Sequence, residues 1–598
     1  MQRVNRNLVW AGALADELAR CGVRHVCVSP GSRSAPLALS FAAHPMIQDH
    51  SILDERAAAF FALGLARASR SPVALICTSG TATANYLPAV VEAHYSRVPL
   101  LLLTADRPPE ERECGAGQTI DQTKLYGSYV RLFNELPTPE LKPSLLRHVR
   151  RSACRAVAAA LGGPAGPVHL NLPFREPLAP LEVAADQEAA RNLDPLLREG
   201  RLEDPMTRVF PAEPAGLRKP DLAQLAQRLR REQRGWLVAG PLDATPELAT
   251  ELTRLARSLG WPVFADALSQ LRCGSPERSL LVEAHDAVLG ARDFAEGLLP
   301  RLVLRFGAMP TSKAYRLLLE RHPEITQIVV DPWGWSDPTL LASELIRADP
   351  LALARTLARE LERLGRVSVS DFGERWIRAG HRARRILNQG LAERAGLSEP
   401  GVVRTLAQVL PGGSALFVAS SMPVRDVDLF WPGSERALRV FANRGANGID
   451  GSVSCALGSA LGSDAPLVAL IGDLALLHDW SGLLLARRDD IDATLVVIDN
   501  NGGGIFEFLP VAASAGRDVF ERHFAAGQGM DLCKALRGFG LSVSTAKSAD
   551  ELRSALEKSL TSPGVQLVVV QTDRRENLEL HEKLNQAVAR ALAPTEAS

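Results

Sequence analysis

Two polar clusters near the carboxyl end of the chain have the residue types of a metal and phosphate site. Asp473 ends the apolar run PLVALIGD, and Asn500 ends the run ATLVVIDN and is followed by Gly502, Gly503 and Gly504. A carboxylate oxygen, an amide oxygen and a backbone carbonyl are hard ligands that suit Mg²⁺, which keeps its other positions for water and phosphate oxygens. Glycines after Asn500 let the backbone approach a diphosphate closely and offer it N–H groups.

Either cluster alone is more simply explained as a turn after a strand, because Gly, Asn and Asp are the usual turn residues. The two together are more specific, since Asp473 and Asn500 each end an apolar run and stand 27 residues apart. The carboxyl ends of neighbouring parallel strands share one sheet edge, where ligands bind in α/β folds. The two side chains can therefore face the same spot.

The elements that must position these side chains are short apolar runs separated by helical patterns. The runs are continuous rather than alternating, which favours parallel strands buried on both faces. We predict strands at 23–29, 72–79, 98–106, 167–172, 235–240, 261–266, 301–307, 326–332, 414–420, 438–444, 466–473, 493–500 and 565–572. A helical stretch at 79–98 makes a strand–helix–strand unit with its neighbours.

The sequence predicts an α/β fold of three doubly wound, mainly parallel-sheet domains. The length of 598 residues exceeds what one hydrophobic core supports. A charged, proline-containing segment without a long apolar run separates the first two blocks, and a charged helical zone precedes the third. The predicted domains are 1–184, 216–370 and 371–598, with a linker at 185–215.

Charge and cysteine usage argue against several classes of function, although a zero net charge leaves room for local basic clusters. Lys plus Arg and Asp plus Glu both number 68, which gives no support to a nucleic-acid or membrane-surface role. The first 20 residues lack the uninterrupted apolar core of a signal peptide, and no transmembrane helix is expected, because no run of about 18 uncharged apolar residues occurs. The eight cysteines are scattered without a CxxC pair, which is typical of reduced thiols in a cytoplasmic protein rather than of a zinc site or disulfide framework.

The stretch HSILDERAAAFFALGLARAS places Glu55 at the start of a strongly apolar helix. A glutamate in the first turn commonly just faces the positive end of its helix. Alanine and phenylalanine neighbours, however, disfavour the charged form of a carboxyl group and help it to share a proton. Glu55 is therefore a candidate acid.

Several motifs carry a resemblance to a known family. Gly472-Asp473 followed by Asn500 is similar to the metal–diphosphate signature of thiamine-diphosphate enzymes. Together with SPGSRSAPLA (29–38), TSGTATANYLPAVVEA (78–93), LTADRPPE (103–110) and NRGANGIDG (443–451), it resembles the branch of that family that serves menaquinone biosynthesis. The resemblance covers essentially the whole chain and is thinnest in the second block. It departs from the commonest signature at Leu474, where a glycine is usual.

The resemblance implies thiamine diphosphate with Mg²⁺, or Mn²⁺, as cofactors. The acid Glu55 would protonate the aminopyrimidine, whose imino form then removes the thiazolium C2 proton to give the ylid, while the protein supplies binding and electrostatics. Asp473, Asn500 and the carbonyl of Gly502 would hold the metal. Ile449 would wedge between the cofactor rings, although it could equally be an ordinary core residue. The implied cofactor-binding set is Glu55, Ile449, Asp473, Leu474, Asn500, Gly502, Gly503 and Ile505.

The family also implies an oligomeric assembly. Its active sites lie between the pyrimidine-binding domain of one subunit, here 1–184, and the diphosphate- and Mg-binding domain of another, here 371–598. A homodimer or homotetramer is therefore expected, with residues 216–370 as a central architectural domain.

The implied reaction decarboxylates 2-oxoglutarate and adds the succinyl-semialdehyde carbanion to isochorismate in a conjugate addition. Both substrates carry two carboxylates, so their site should collect Arg and Lys, although a single Arg is more often a surface ion pair. The resemblance assigns Arg33, Arg107, Gln118 and Lys313 to isochorismate or the adduct, Ser421, Arg425 and Arg444 to the oxoglutarate-derived part, and Ile505, Phe506 and Leu509 to an apolar wall. Ser32, beside Arg33, is a further substrate-binding candidate. Gly117 and Ala314 depart from the residues usual in the family.

Two other functions would share some of these sequence features. Another thiamine-diphosphate 2-oxoacid decarboxylase or carboligase would share Glu55 and the metal motif, but not the joint motifs at 29–38, 103–110 and 443–451. A non-catalytic, nucleotide-binding regulatory protein would need neither Glu55 nor the Asp473–Asn500 pair. The sequence therefore predicts an enzyme, a thiamine-diphosphate-dependent transferase or carboligase.

Overall fold

The computed structural model describes residues 5–210, 216–274, 277–365, 367–394, 396–488 and 490–593. Their contacts divide them into two compact units. The first unit takes the described residues of 1–212, 443–464 and 475–492, and the second takes those of 213–442, 465–474 and 493–598. One sheet lies in the first unit and two lie in the second.

The first sheet has six parallel strands in the order β2-β1-β3-β4-β6-β5. Its strands are β1 His25–Val28, β2 Gln48–Ser51, β3 Val73–Cys77, β4 Leu100–Asp106, β5 Leu132–Glu135 and β6 Val168–Pro173. Every residue of β3 and β4 is buried, as expected for continuous apolar strands inside a parallel sheet. The helices of this part of the chain are α1 Arg6–Arg20, α2 Ala35–Ala42, α3 Glu55–Ser69, α4 Thr81–Asn85, α5 Leu87–Ser96, α6 Pro143–Leu161, α7 Ala184–Arg191 and α8 Pro195–Glu199.

Helices α7 and α8 lie in the segment that the sequence predicts to be a linker. Arg6 of α1 donates to the Asp186 carboxylate from its backbone N–H at 2.8 Å and from Nε at 3.0 Å. The buried Arg150 of α6 donates from Nε to the carbonyl of Leu197 at 2.9 Å. Residues 184–199 are therefore bonded to the first unit.

The second sheet has five parallel strands in the order β11-β10-β9-β7-β8. They are β7 Gly235–Ala239, β8 Val263–Ala265, β9 Leu302–Phe306, β10 Thr326–Val330 and β11 Ala342–Ile346. The helices here are α9 Lys219–Arg231, α10 Pro246–Leu259, α11 His285–Gly290, α12 Arg292–Glu296, α13 Lys313–Arg321 and α14 Pro350–Arg363.

The third sheet has six parallel strands in the order β13-β12-β14-β15-β17-β16, which is the order of the first sheet. They are β12 Ala415–Val418, β13 Arg439–Phe441, β14 Leu467–Gly472, β15 Ala493–Asp499, β16 Ser542–Ala546 and β17 Val565–Gln571. The helices after residue 370 are α15 Asp371–Ala392, α16 Glu399–Val409, α17 Met422–Phe430, α18 Ser452–Leu461, α19 Asp473–His478, α20 Val511–Ser514, α21 Arg517–Phe520, α22 Leu532–Gly538, α23 Ala549–Ser559 and α24 Arg574–Leu592.

Helix α15 packs against the second sheet. Its Trp376 ring packs edge-on against Trp236 of β7 and Phe264 of β8, with ring centroids 4.9 and 5.4 Å apart. The Trp376 indole N–H donates to the carbonyl of Leu298 at 3.2 Å. The first helix of the predicted third domain is therefore part of the core around the second sheet, and the predicted domain boundaries stay a prediction.

Helices α3 and α18 of the first unit cross in close contact at two glycines. A Cβ atom on Gly64 would lie 2.0 Å from the carbonyl oxygen of Cys455, and one on Gly458 would lie 2.0 Å from that of Phe61. The contact is reciprocal, because each glycine faces the carbonyl three residues before the other. Only residues without a side chain fit this crossing.

The predicted α/β class with mainly parallel sheets is confirmed, and each predicted strand overlaps a strand of the structure. The helical stretch predicted at 79–98 is present as α4 and α5. Within the described ranges, no helix is both long and apolar enough to cross a bilayer.

Candidate active site

The ends of β14 and β15 bring the predicted metal ligands to one sheet edge. The two strands are neighbours, with Gly472 opposite Ile498 in the register, so Asp473 and Asn500 both follow the paired segment. Asp473 is buried, and its carboxylate accepts the N–H groups of Leu474 and Gly502, both at 2.7 Å. Burial raises the pKa of Asp473 to about 6, because the charged form loses solvation.

The Asn500 side chain is held from one side only. Its Nδ2 donates to Oε1 of the buried Glu399 at 2.8 Å. Among the described residues its Oδ1 has no hydrogen-bond partner although it is buried. A buried acceptor without a hydrogen-bond partner is unusual inside a protein. An oxygen in this state is suited to bind a metal ion.

Glu399 is a residue of this site that the sequence analysis missed. It is 3% exposed, and its Oε1 also accepts from the Thr572 hydroxyl at 3.2 Å. Burial raises the pKa of Glu399 to about 7, and the nearby Asp426 acts in the same direction. In the sequence, Ser398-Glu399 is an ordinary helix start, so no local signal distinguishes this glutamate.

The glycines after Asn500 occupy positions where a side chain would collide. Gly502 has a φ of +136°, and a Cβ there would lie 2.3 Å from the carbonyl oxygen of Ala525. A Cβ on Gly504 would lie 2.9 Å from Asn500 Nδ2. The two glycines therefore let the loop fold back beside Asn500.

The residues predicted to bind the cofactor or to form the apolar wall come next in the chain. Gly503 is buried, while Ile505, Phe506 and Leu509 are half-buried. The Phe506 ring packs against Phe524 with centroids 5.8 Å apart. Ile505, Phe506 and Leu509 therefore keep part of their apolar surface exposed.

Glu55 is the first residue of α3, as predicted, and is half-buried. The preceding Asp54 caps the helix, because its carboxylate accepts the N–H groups of Arg56 and Ala57. The Glu55 carboxylate is therefore not needed as a cap. The Cys77 thiol at the end of β3 has its pKa raised to about 12 by burial and, more weakly, by the charge of Glu55.

Arg33 and Arg107 are predicted substrate residues at the strand ends of the first sheet. Arg33 is 4% exposed, donates to the carbonyl of Phe174 at 2.8 Å and lies 3.7 Å from the Glu176 carboxylate. Arg107 is half-buried and contacts Glu111 at 3.4 Å. In the described part of the chain, Nε of both residues is buried without an acceptor. Ser32, beside Arg33, is exposed.

Gln118 lies in an exposed loop with a φ of +57°. Its Nε2 donates to the carbonyl of Ser79 at 3.1 Å, and the Ser79 hydroxyl donates back to the Gln118 carbonyl at 3.0 Å. The buried Gln122 supports this loop, because its Oε1 accepts the N–H of Gly80 at 3.0 Å and its Nε2 donates to Asn171 at 2.8 Å. The sequence analysis did not single out Gln122.

Glu92 is a further missed residue, and it fixes the loop that carries Arg444 and Ile449. Its buried carboxylate accepts the N–H groups of Gly445 at 2.9 Å and Ala446 at 2.6 Å. Arg444 and Ile449 are both half-buried. Glu92 lies inside the motif at 78–93, but its role depends on a contact with residues more than 350 positions away.

Ser421, Arg425 and Lys313 lie in the second unit. Ser421 precedes α17 with a φ of +76°, and its carbonyl accepts from Arg425 Nη1 at 2.5 Å. Arg425 and Lys313 are exposed, and Lys313 is the first residue of α13. The buried Ser312 caps that helix by accepting the N–H of Tyr315 at 3.1 Å.

The predicted site residues thus fall into two sets. The first unit holds Ser32, Arg33, Glu55, Arg107, Gln118, Arg444 and Ile449, and the second holds Lys313, Ser421, Arg425, Asp473, Leu474, Asn500, Gly502, Gly503, Ile505, Phe506 and Leu509. Within the second set, hydrogen bonds join Asp473 to Leu474 and Gly502, while Asn500 follows the neighbouring strand and is bonded to Glu399. Leu474 takes part through its backbone N–H, which the departure from glycine does not remove.

Among the described residues, one group of Cys, Glu, Asp or His side chains lies close enough to share an ion. It consists of Glu17, Cys21 and Cys154, whose ligand atoms lie within 4.8 Å of one another. The Glu17 carboxylate already accepts from Arg150 at 2.8 Å and from the Cys154 thiol at 3.1 Å. These contacts use both carboxylate oxygens inside the protein.

Three family models match consecutive stretches of the chain. They are the N-terminal TPP binding domain of thiamine pyrophosphate enzymes at residues 10–125, the middle domain at 217–418 and the C-terminal TPP binding domain at 430–570. Thiamine pyrophosphate is thiamine diphosphate under another name. The fold and these domains define a thiamine-diphosphate-dependent enzyme, as the sequence predicted.

Curated relatives show to which family of thiamine-diphosphate enzymes the chain is similar. The relatives are 46% identical in Geobacillus kaustophilus (98% of both chains), 45% in Chloroflexus aurantiacus (98% of this chain, 97% of the relative) and 42% in Myxococcus xanthus (98% of both). Each is named 2-succinyl-5-enolpyruvyl-6-hydroxy-3-cyclohexene-1-carboxylate synthase. The chain belongs to this synthase family, which confirms the predicted membership.

A solved structure shares the fold. It is a protein isolated from Mycobacterium smegmatis and proposed to be a thiamin diphosphate-dependent enzyme, and it is 20% identical to this chain with a TM-score of 0.67. The match covers 93% of this chain and 98% of that one.

Proposed function

We propose that the protein decarboxylates 2-oxoglutarate and adds the remaining four-carbon unit to isochorismate. The products would be CO₂ and 2-succinyl-5-enolpyruvyl-6-hydroxy-3-cyclohexene-1-carboxylate, a step of menaquinone biosynthesis. The observation that carries this proposal is the near-full-length similarity to synthases of that name. The cysteine usage supports a cytoplasmic location.

The proposed metal ligands are Asp473, Asn500 and the carbonyl of Gly502. The buried, unpartnered Oδ1 of Asn500 and the buried carboxylate of Asp473 suit a hard divalent cation, Mg²⁺ or Mn²⁺. The backbone of Gly502 is fixed by its N–H bond to Asp473 at 2.7 Å. Leu474, Gly503, Ile505 and Ile449 complete the proposed cofactor-binding set.

Glu55 is the proposed catalytic acid. Thiamine diphosphate, when bound, supplies the nucleophilic carbon that attacks the oxo group of 2-oxoglutarate. Glu55 would hold a proton at its carboxyl group for the aminopyrimidine nitrogen, a role that its half-buried position at the start of α3 allows. The Asp54 cap supports the assignment, because it leaves the Glu55 side chain available.

The proposed substrate residues supply positive charge for carboxylates. Arg33 and Arg107 support this role best, since each keeps a buried Nε–H without an acceptor in the described chain, and such a group gains a partner when a carboxylate binds. With Ser32, Gln118 and Lys313 they would contact isochorismate or the adduct. Contacts to the oxoglutarate-derived part fall to Ser421, Arg425 and Arg444, beside an apolar wall of Phe506 and Leu509.

The decisive assay supplies purified protein with thiamine diphosphate, Mg²⁺ and both substrates, and measures CO₂ and the adduct. Glu55→Gln should lower the rate at least about 100-fold, the usual contribution of a positioned acid. Glu374→Gln, which changes another first-turn glutamate on α15, is the matched control and should leave the rate unchanged. A wild-type rate for Glu55→Gln refutes the mechanism, and oxoglutarate use that ignores isochorismate indicates a simple decarboxylase.

We also propose a homo-oligomer in which Glu55 of one subunit and Asp473 of another serve the same site. Subunits carrying Glu55→Gln and subunits carrying Asp473→Asn would be inactive alone. In a hybrid dimer purified through two different tags, one site would combine the wild-type Glu55 and Asp473, so activity should return. Hybrids that stay inactive would mean that each subunit builds its own site.

A further inference from the structure

The Glu399 carboxylate has an environment that a structural role at a helix start does not explain. Glu399 is the first residue of α16 and only 3% exposed. No Lys, Arg or His nitrogen of the described chain lies within ion-pair distance of it. Its Oε1 accepts from Asn500 Nδ2 at 2.8 Å and from the Thr572 hydroxyl at 3.2 Å. Burying a carboxylate without a cation is unfavourable, so this placement needs a compensating role.

The contact with Glu399 fixes the orientation of the Asn500 amide. Oε1 of Glu399 accepts from Nδ2 of Asn500, so the NH₂ end of the amide faces Glu399 and the carbonyl end is turned away. The carbonyl oxygen of Asn500 is the buried atom that lacks a partner in the described chain. Gly504 leaves room for this arrangement, because a Cβ there would lie 2.9 Å from Nδ2.

We infer that Glu399 is a positioning residue for the metal site, because its carboxylate holds the Asn500 amide with Oδ1 free to bind the divalent cation. The inference rests on the proposed function, in which Asn500 is a metal ligand. Glu399 itself touches neither metal nor substrate. Without it, the Asn500 amide can rotate and present its NH₂ group, which cannot bind a cation.

A purely structural glutamate at the start of α16 would affect stability but not metal affinity. The chain offers a matched control for that alternative in Ser398, whose hydroxyl caps α16 by accepting the N–H of Gly401 at 3.2 Å. Ser398→Ala removes a helix cap, which typically destabilises by about 1 kcal/mol. It leaves the bond between Glu399 and Asn500 untouched.

The test measures the dissociation constant of Mn²⁺ by the electron paramagnetic resonance of the free ion, with thiamine diphosphate at saturation, and the urea midpoint of each variant. Glu399→Ala should weaken Mn²⁺ binding roughly 10- to 100-fold, the usual effect of losing a group that orients a metal ligand. Glu399→Gln should weaken it less, about 5-fold, since its carbonyl can still accept from Asn500 while its own NH₂ group permits the flipped amide. Ser398→Ala should lower the urea midpoint and leave the Mn²⁺ dissociation constant within about twofold of wild type.

Unchanged Mn²⁺ affinity in Glu399→Ala overturns the inference. If that variant does not fold, the same result in Glu399→Gln overturns it. Failure of the proposed function has a different signature. In that case, wild-type protein does not bind Mn²⁺ with thiamine diphosphate, or Asp473→Ala binds it as tightly as wild type does.

Discussion

The crossing of α3 and α18 predicts that one substitution will have opposite effects at two helical glycines. Gly64 lies in α3, where an added Cβ would meet the backbone carbonyl oxygen of Cys455 at 2.0 Å. Gly12 lies in α1, where an added Cβ would have nothing within 4 Å. Both glycines are inside α-helices, so the change in intrinsic helix propensity is the same and favours alanine by about 1 kcal/mol. Only the surroundings of the new methyl group differ.

The magnitude follows from the overlap. The Cys455 carbonyl must retreat by roughly 1 Å before the contact with a Cβ becomes tolerable, and it can do so only if the whole helix moves. Overpacking of a tight core typically costs about 1–3 kcal/mol, and a backbone obstacle belongs at the upper end of that range. After the gain in propensity, Gly64→Ala should destabilise the first unit by about 2 kcal/mol, and Gly458→Ala should do the same. Gly12→Ala should stabilise it by about 0.5–1 kcal/mol.

Urea unfolding monitored by near-ultraviolet circular dichroism gives the midpoints, and hydrogen exchange of peptides from 55–69 and 452–461 locates the effect. The double variant Gly64→Ala/Gly458→Ala should lose less than the sum of the two single losses, because helices separated by one methyl group already make room for the other. Equal midpoints for Gly64→Ala and Gly12→Ala would refute the reasoning. A strictly additive double variant would show that the two glycines do not share one contact.

Two further predictions concern buried charge in the first unit. Burial lowers the pKa of His169 from 6.5 to about 3. Between these two values the unfolded chain binds a proton at His169 and the folded chain does not. The free energy of unfolding is therefore unaffected above pH 6.5 and should fall by about 2 kcal/mol by pH 5. His169→Gln should flatten this loss when urea midpoints at pH 7.5 and pH 5 are compared, and an unchanged pH dependence would contradict it. Arg150→Met should destabilise by about 3–5 kcal/mol, because it leaves the fully buried Glu17 carboxylate without its cation. The surface variant Arg198→Met should stay within about 0.5 kcal/mol of wild type in the same unfolding assay, and a comparable loss in both would contradict the role of burial.

The sequence predicts every central strand but misses four of the six edge strands in the described sheets, for a physical reason. The two edge strands that it does predict, β8 and β13, are largely buried. Strands β2, β5, β11 and β16 lie outside the predicted runs, and each is an edge strand of its sheet. Only one residue of β2 is buried, and β16 is largely exposed as well. An edge strand is covered incompletely, so it does not need the continuous apolar run by which a buried strand is recognised.

Some residues of the candidate site could be predicted from the sequence and others could not. Asp473, Asn500 and the glycines after it could be predicted because polar residues directly after an apolar run are conspicuous. Glu399 and Glu92 could not, because each is one acidic residue in or beside an ordinary helix and acquires its role through residues 101 and 353 positions away. Such contacts exist only after folding, and no local pattern encodes them.

The repeated strand order explains why predicted residues follow equivalent strands of the first and third sheets. The first and third sheets have the same order, in which β1, β2, β3 and β4 correspond to β12, β13, β14 and β15. Arg33 follows β1 as Ser421 follows β12, and Arg107 follows β4 as Asn500 follows β15.

The correspondence extends to the helices that follow β2 and β13. Glu55 starts α3, the helix after β2, while Arg444 and Ile449 precede α18, the helix after β13. The reciprocal crossing of α3 and α18, in which Gly64 faces Cys455 and Gly458 faces Phe61, is therefore a contact within the first unit between two helices at equivalent places in the strand order. A parallel sheet of this order has one ligand-binding edge. The edges of the first and third sheets can therefore carry different functional groups. In the proposed function, the edge of the first sheet would supply an acid and cations for carboxylates, and the edge of the third sheet would supply metal ligands and a backbone for phosphate. Lys313 is the exception, because it follows β9 of the second sheet, and its proposed role consequently has the least support from the fold.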